Sequence, residues 1–501
     1  THAAGVVITE KPVYEYVPLS TNDGNPVCQY QMTTLEELGL LKMDFLGLRN
    51  LTVLDDAVKL VQKTVPDFRI EDAPEDDKAT YEMLAAGRTS GVFQLESTGM
   101  TGVCVGLKPK SIEDITALIA LYRPGPMDSI PRFLECSVHP EKVSYKHELL
   151  RPILSVTYGC IVYQEQVIEI FRRLAGFSLG QADMIRRAMS KKKHKVIDAE
   201  RVAFIHGDPS RGIAGAIANG VPESVANSIY DEILDFASYA FNKAHAVSYA
   251  IVAYRTAYMK RHYPQQYMAA LLTSVLESST KVAEYIAECR ELGIKLLPPD
   301  VNESDANFTV AGENIRFGLV AIKGIGWGAI EELVAERHEN GLFTSFEDFC
   351  KRMSGKELNR RAVENLIRAG AFDGMGYKRK ALLQIAGAVI DSISQAARDN
   401  IAGQYDLFGD FEAQSEASPQ TIPIPDVEEF SARDKMMMEK EVTGLYLTGH
   451  PMDEYRDAVR KVGAVPIGAI LGDFAADDGP QRFADNQYVT VAGVISTMRT
   501  R

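Results

Sequence analysis

The spacing of apolar positions changes several times along the chain, and those changes divide it. "AAGVVI" (3–8) and "GLLKMDFLGL" (39–48) are short apolar runs broken by glycine, which predicts strands. The polar stretch between them, "STNDGNPVCQYQ" (20–31), predicts a loop. From Leu51 the period becomes helical. "LTVLDDAVKLVQKTV" repeats apolar residues at three and four, and "QEQVIEIFRRLAGF" does so at Val167, Ile168, Phe171, Leu174 and Ala175. "NKAHAVSYAIVAYRTAYMKRHYP" predicts a long helix closed by Pro264. "ELGIKLLPPDVN" breaks the pattern and predicts a boundary near Pro298 to Asn302. Beyond it, "FGLVAIKGIGWGAIEELVAERHENG" reads as a strand-like run, a glycine turn and a helix, and "ELNRRAVENLIRAGAFDGMG" as a second helix ending at glycine. Tyr405 to Phe430 holds seven acidic residues, no basic ones and prolines at 419, 423 and 425, the composition of a flexible linker. "QYVTVAGVISTM" alternates like the first strand of a new β domain.

At 501 residues the chain exceeds one core, so two to four domains are expected. Its balance of apolar and charged residues is that of a soluble globular protein, and no apolar run approaches the ~18 residues of a membrane helix. The opening "THAAGVVITE" carries no Met, no basic n-region and no cleavage site, and the expectation is an excerpt of a longer protein. Six scattered cysteines without a C-x-x-C pair argue against zinc and for buried thiols in a reducing cytoplasm.

The formal charge is −14, yet "ADMIRRAMSKKKHK" concentrates Arg186, Arg187, Lys191, Lys192, Lys193 and Lys195 in one run. Met184, Ile185, Ala188 and Met189 are expected to hold one side of this helix to the core while the cations fan over the other. A solvated face explains such a cluster, as does a polyphosphate or nucleic-acid backbone, since local potential governs a polyanion's approach. Lys108, Lys110, Arg123, Arg172 and Arg173 recur nearby. On the helix from Asn242, Lys243, Val247, Ile251, Tyr254 and Tyr258 form one stripe, and His245, Ser248, Val252 and Arg255 another. These suit base stacking with phosphate contact, or plain core packing. Lys42 and Asp44 share a strand face, either as a salt bridge or as a metal ligand beside a phosphate-binding cation. In "AIKGIGWGAIEELV", Gly324 and Gly326 with Lys323 make the turn of a helix-hairpin-helix, whose amides can approach a DNA phosphate, or simply a tight turn. In "GQYDLFG", Gln404, Asp406, Leu407 and Phe408 head the acidic linker and suit a partner's pocket.

Together, "HAAGVVI", "LLKMDFLGLRNLT", "GVFQLES", "ALYRPGPM", "YGCIVYQEQV", "GQADMIRRAMSKKK", "YAFNKAHAVSYA", "LLPPDVN", "AIKGIG" and "GLYLTGHP" closely resemble the alpha subunits of bacterial DNA polymerase III, the C-family replicative polymerases. The resemblance implies an α+β, mainly helical chain. Residues 1–50 would be the end of a nucleotidyltransferase-like palm, 51–295 the fingers and 296–410 a helix-hairpin-helix region beginning the clamp-binding part. An acidic linker (411–435), a connector (436–485) and the start of an OB barrel (486–501) would follow. It further implies DNA-directed DNA synthesis by two-metal phosphoryl transfer with two Mg²⁺ ions. Asp44 would be the third palm aspartate, catalytic and metal-binding; the first two belong to an Asp-x-Asp motif that this sequence does not contain.

By the same resemblance Lys42, Arg186, Arg187, Lys243 and His245 bind the nucleotide, and Gln94, Arg123 and Gln164 fall in motifs facing nucleotide or template. Lys191, Lys192, Lys193, Lys323, Gly324 and Gly326 contact DNA, and Gln404, Asp406, Leu407 and Phe408 form the sliding-clamp motif. Implied partners are primer–template DNA, dNTP, the beta clamp, the clamp-loader tau subunit and a proofreading subunit, in the cytoplasm and with no membrane. A non-catalytic DNA- and clamp-binding module, an error-prone paralogue and a helix-hairpin-helix repair protein remain as alternatives; the clamp motif favours the replicative form over the paralogue, and the long fingers match speaks against the last.

Overall fold

The short apolar runs at the start pair with each other. β1 (Gly5–Ile8) and, after β2 (Leu19–Asn22) and β3 (Asn25–Cys28), β4 (Leu41–Asp44) form an antiparallel ladder with Gly5 opposite Asp44 and Ile8 opposite Leu41. Strand alternation puts Val6, Ile8, Leu41 and Met43 on one exposed face and Lys42 with Asp44 on the other. The expected polar loop is instead a second ribbon, β2 paired with β3. The ribbon's return begins at Gly24, whose φ of +79° is the left-handed backbone that tight connections of antiparallel pairs favour. The structure is a computed structural model describing residues 4–22, 24–45, 47–190, 194–237, 241–356, 358–403, 422–474 and 482–495.

The chain divides into two compact units, Thr1–Thr52 and Val53–Arg501. Among its described residues the second is mainly helical with one small sheet, and its buried side chains gather in large clusters. One runs from Val53 through Met259, Tyr267 and Ile315 to Val442, so buried packing continues across Pro298–Asn302, where the pattern broke. There β5 (Leu296–Leu297) lies parallel to β7 (Asn314–Arg316), which β6 (Thr309–Ala311) pairs from the other side. Another cluster gathers Ile153, Val167, Ile170, Phe171, Phe204 and Tyr230. Of the cysteines, Cys28 is half-buried and the other five are buried.

Three expectations need correction. The "FGLVAI" run is no strand: Leu319–Ala321 is a 3₁₀ turn flanked by buried Phe317 and Ile322, an apolar stretch enclosed without a ladder. Residues 486–495 form no strand either; a strand requires a hydrogen-bonding neighbour, and among the described residues the backbone there is held by the Val465 amide donating to the Thr490 carbonyl at 2.8 Å. Met184 points away from the core at 66% exposure, whereas Ala182, Ile185 and Ala188 are buried. Positions three apart stay on one side of the 3.6-residue turn, and Met184 lies about 200° from Ala182.

A buried ionic knot is centred on Arg379. Arg379 donates to Asp373 and to Glu439, and Glu439 also accepts from the Leu447 and Thr448 amides. This ties the Ala432–Thr443 helix and the "GLYLTGHP" segment to the start of the Arg379–Gly403 helix.

Candidate nucleotide and nucleic-acid site

Two consecutive helices carry the arginines. The first, Gln164–Ala175, stops at Gly176, whose φ of +80° supplies the left-handed residue that ends it. Its buried stripe is Val167, Ile170, Phe171, Leu174 and Ala175; Ile170 takes the inward place expected for Ile168. The second, Leu179–Ser190, places Asp183 three and four residues before Arg186 and Arg187, on one helical face.

Arg186 is largely buried at 19% side-chain exposure. Its Nε donates to Asp183 at 2.9 Å and its Nη1 to Gln164 Oε1 at 3.1 Å. Arg187 donates from Nε to the other Asp183 oxygen at 2.8 Å, and its side chain is 68% exposed. The hydrogen-bonded Arg186, with Arg187, holds the Asp183 carboxyl below the usual carboxylate range. One carboxylate thus orients two guanidinium groups, one packed and one outward. The sequence reading singled out both arginines and overlooked Asp183, although the "ADMIRR" spacing contains it.

Gln164 also joins this pair to an aromatic row. Its amide donates to the Phe241 carbonyl at 2.9 Å, beside a parallel bridge between Tyr163 and Phe241. The Arg123 guanidinium lies 4.1 Å from the Phe241 ring centre. Phe241 meets His245 at 5.4 Å, His245 meets Tyr249 at 4.2 Å, and Tyr249 meets Phe93 at 5.3 Å. His245 is exposed on the Lys243–His262 helix, where the Asn242 side chain caps its amide at 2.9 Å. Of the tyrosines named from the sequence, Tyr254 is buried and packs on Tyr81, a core role. Tyr249, one turn from His245, was not foreseen. Lys243 pairs with Glu113 at 3.1 Å and lies over the Tyr163 ring, while its amide is held by Glu165.

In the first unit, Lys42 and Asp44 form a hydrogen-bonded ion pair, with Asp44 42% exposed at the strand end. Among the described residues no group of three His, Cys, Asp or Glu side chains converges as a metal set. The chemistry of two magnesium ions asks for several bridging carboxylates. Asp44, singly placed and paired with a lysine, does not fit that group by itself.

The Gly324–Gly326 turn precedes the Trp327–Asn340 helix, and Gly324 holds φ +77°. Lys323 is held by its neighbours: its carbonyl accepts from Asn365 at 2.7 Å, its amide donates to Val442 at 2.8 Å and its ammonium to the Glu441 carbonyl at 3.2 Å. The turn borders an open groove of about 690 Å³, lined by Lys323, Arg360, Arg361, Arg368, Glu364 and Glu441. Arg360, Arg361 and Arg368 come from the Arg360–Ala369 helix and were not anticipated. Lys191, Lys192 and Lys193 lie outside the described residues, as do Gln404, Asp406, Leu407 and Phe408. No helix among the described residues is long and apolar enough to cross a membrane.

Comparison with known proteins adds a second line. Residues 1–47 match the bacterial DNA polymerase III alpha NTPase domain, 50–212 the bacterial DNA polymerase III alpha subunit finger domain, and 293–382 a helix-hairpin-helix motif. The chain is 40% identical to the DNA polymerase III subunit alpha of Borreliella burgdorferi, over 95% of its own length and 41% of that protein's. It is 44% identical to the Thermus aquaticus protein of the same name, covering 93% of this chain and 37% of the relative. For the Bacillus subtilis protein the values are 42% identity, 93% and 41%. The chain therefore spans about two fifths of the length of these relatives.

Proposed function

The chain belongs to the bacterial DNA polymerase III alpha-subunit family, and from that membership we propose that it is part of a replicative DNA polymerase adding dNTPs to a primer 3′ end. Residues 1–50 are read as the end of the palm, 51–295 as the fingers and 296–410 as the region approaching the clamp-binding part. Residues 411–435 are read as a linker, 436–485 as a connector and 486–501 as the start of an OB domain. The observation that carries the reading is the clasp of Arg186 and Arg187 on Asp183, beside an Arg123–Phe241–His245–Tyr249 row.

Charge-assisted hydrogen bonds from a rigid guanidinium suit the oxygens of a triphosphate. In this reading Arg186, fixed by Gln164 and Asp183, sets the direction of the clasp, and the outward Arg187 closes on the phosphate. The aromatic row offers π-faces on which any base can stack, as a copying enzyme requires. His245 adds an exposed polar edge there; Lys243 would leave Glu113 to reach an anion. Asp44, with Lys42 beside it, is read as one ligand of a magnesium set completed by further residues. Lys191 to Lys193 and the groove of Lys323, Gly324 and Gly326 are read as contacts to the DNA backbone, and Gln404 to Phe408 as the sliding-clamp motif.

The test is steady-state primer extension by the whole polymerase carrying Arg186→Ala with Arg187→Ala. Loss of two charge-assisted contacts predicts a rise in the dNTP KM or a fall in kcat of two orders of magnitude or more, on the order of 10²–10³; wild-type kinetics would refute the clasp. A second reading is favoured by the missing Asp-x-Asp: as given, the 501 residues bind DNA and clamp without catalysis. Primer extension by these residues alone would overturn it.

A further inference from the structure

Residues 88–95, the "RTSGVFQL" loop, are tied down by side chains from distant helices. Lys260, with a fully buried side chain, donates to the Arg88 carbonyl at 3.1 Å and the Ser90 carbonyl at 2.8 Å, and pairs with Glu288 at 2.7 Å. The three N–H groups of its ammonium thus have three oxygens to meet. Tyr267 donates from Oη to the Gly91 carbonyl at 2.6 Å, and Thr256 Oγ1 accepts from the Phe93 amide at 3.1 Å. Gly91 holds φ +70°, a backbone that strains any L side chain, and a Cβ there would sit 2.6 Å from Leu271 Cδ2, which would have to move.

The outcome is an unusual backbone at one residue. Gln94 has φ +63°, in the left-handed region that non-glycine residues seldom adopt, with buried Phe93 and Leu95 on either side and its own side chain exposed. Such a conformation persists when its surroundings over-determine it, and a lysine buried at a loop merely to fill space would be a costly choice beside an apolar residue. Phe93 meets Tyr249, which packs against His245, so exposed Gln94 follows in the chain directly on the residue that ends the aromatic row. An uncharged carboxamide, donor and acceptor at once, matches a nucleobase edge and suits a phosphate poorly.

We infer that Lys260 is a positioning residue for Gln94: it clamps residues 88–95 so that the Gln94 amide is presented to the edge of a nucleobase lying on the Tyr249–His245 row. The inference rests on the polymerase reading above and names one recognition element within it.

The experiment compares Gln94→Ala, Lys260→Met and the double variant in the whole polymerase, following kcat and KM for a correct dNTP, with melting temperature alongside. Each single change is expected to lower kcat/KM about tenfold, chiefly through KM, as for the loss of one hydrogen bond. The double variant is expected to be no worse than Gln94→Ala, because Lys260 acts through that amide. Gln94→Asn, which tolerates the left-handed backbone and keeps an amide, is expected to recover part of the loss. Wild-type kcat/KM in Lys260→Met, or losses that multiply to about a hundredfold in the double variant, would overturn the inference. Should Lys260→Met fail to fold, Glu288→Gln loosens the same ammonium and must show the same non-additivity. Wild-type kinetics in Gln94→Ala would remove the inference and leave the polymerase reading standing; a wild-type protein that extends no primer would remove both.

Discussion

Asp183 stands three and four residues ahead of two arginines and binds both, so a single carboxylate controls how the clasp is presented. Asp183→Asn keeps the shape and removes the charge. It is expected to weaken dNTP affinity about tenfold, the worth of a charge-assisted contact, with primer–template affinity unchanged, as equilibrium titration would measure. Elsewhere, Lys356, Arg352 and Asn340 pull the Glu336 carboxyl down to about 2. Its folded value lies below its unfolded one, so this hub stabilises the fold fully above the ordinary glutamate range, and that contribution is lost as pH falls through about 2. An NMR titration of the Glu336 carboxyl should find it ionised well below pH 4; an ordinary midpoint near 4.3 would contradict the geometry. At this scale the arginines were legible because charge so dense needs a counter-charge. Asp183 and Tyr249 were not, since an acid among bases and one tyrosine among several gain meaning only from distance.

Helices were legible as elements, and their ends more so. Gly370 closes the Arg360–Ala369 helix in left-handed backbone, in keeping with the helix expected to end at glycine, and Gly176, not singled out, does the same for Gln164–Ala175. Polar segments were less legible. The β2–β3 hairpin hid behind a run of Ser, Thr and Asn, because a ribbon with few apolar residues leaves no alternation to read, and the Asp-Gly pair in its sequence was the available signal. The Arg379–Asp373–Glu439 knot was equally invisible, because Glu439 lies 60 residues from Arg379 in sequence. Glu439→Ala should cost about 3–5 kcal/mol, because it leaves a buried guanidinium short of a partner and two amides without an acceptor. Chemical denaturation would measure this, and a loss below about 1 kcal/mol would show that the knot is solvated.

Across the whole molecule, composition and resemblance put a boundary near residue 50, close to where the first compact unit ends at Thr52, while the course of the cores was not legible. One buried cluster runs from Val53 to Val442, joining stretches that the sequence pattern would part near Pro298, because packing between helices leaves no mark in local periodicity. The clamp motif has its own test: replacing Leu407 and Phe408 by Ala should reduce processivity only when the sliding clamp is present. The central claim, that the fingers arginines grip a nucleotide's phosphates, is tested most directly by side-chain NMR of Arg186 and Arg187 in this chain. Titration with a deoxynucleoside triphosphate is predicted to shift both Nε–H resonances while the bare deoxynucleoside leaves them in place. Unmoved arginine signals at saturating triphosphate, with shifts elsewhere reporting that it has bound, would contradict the account.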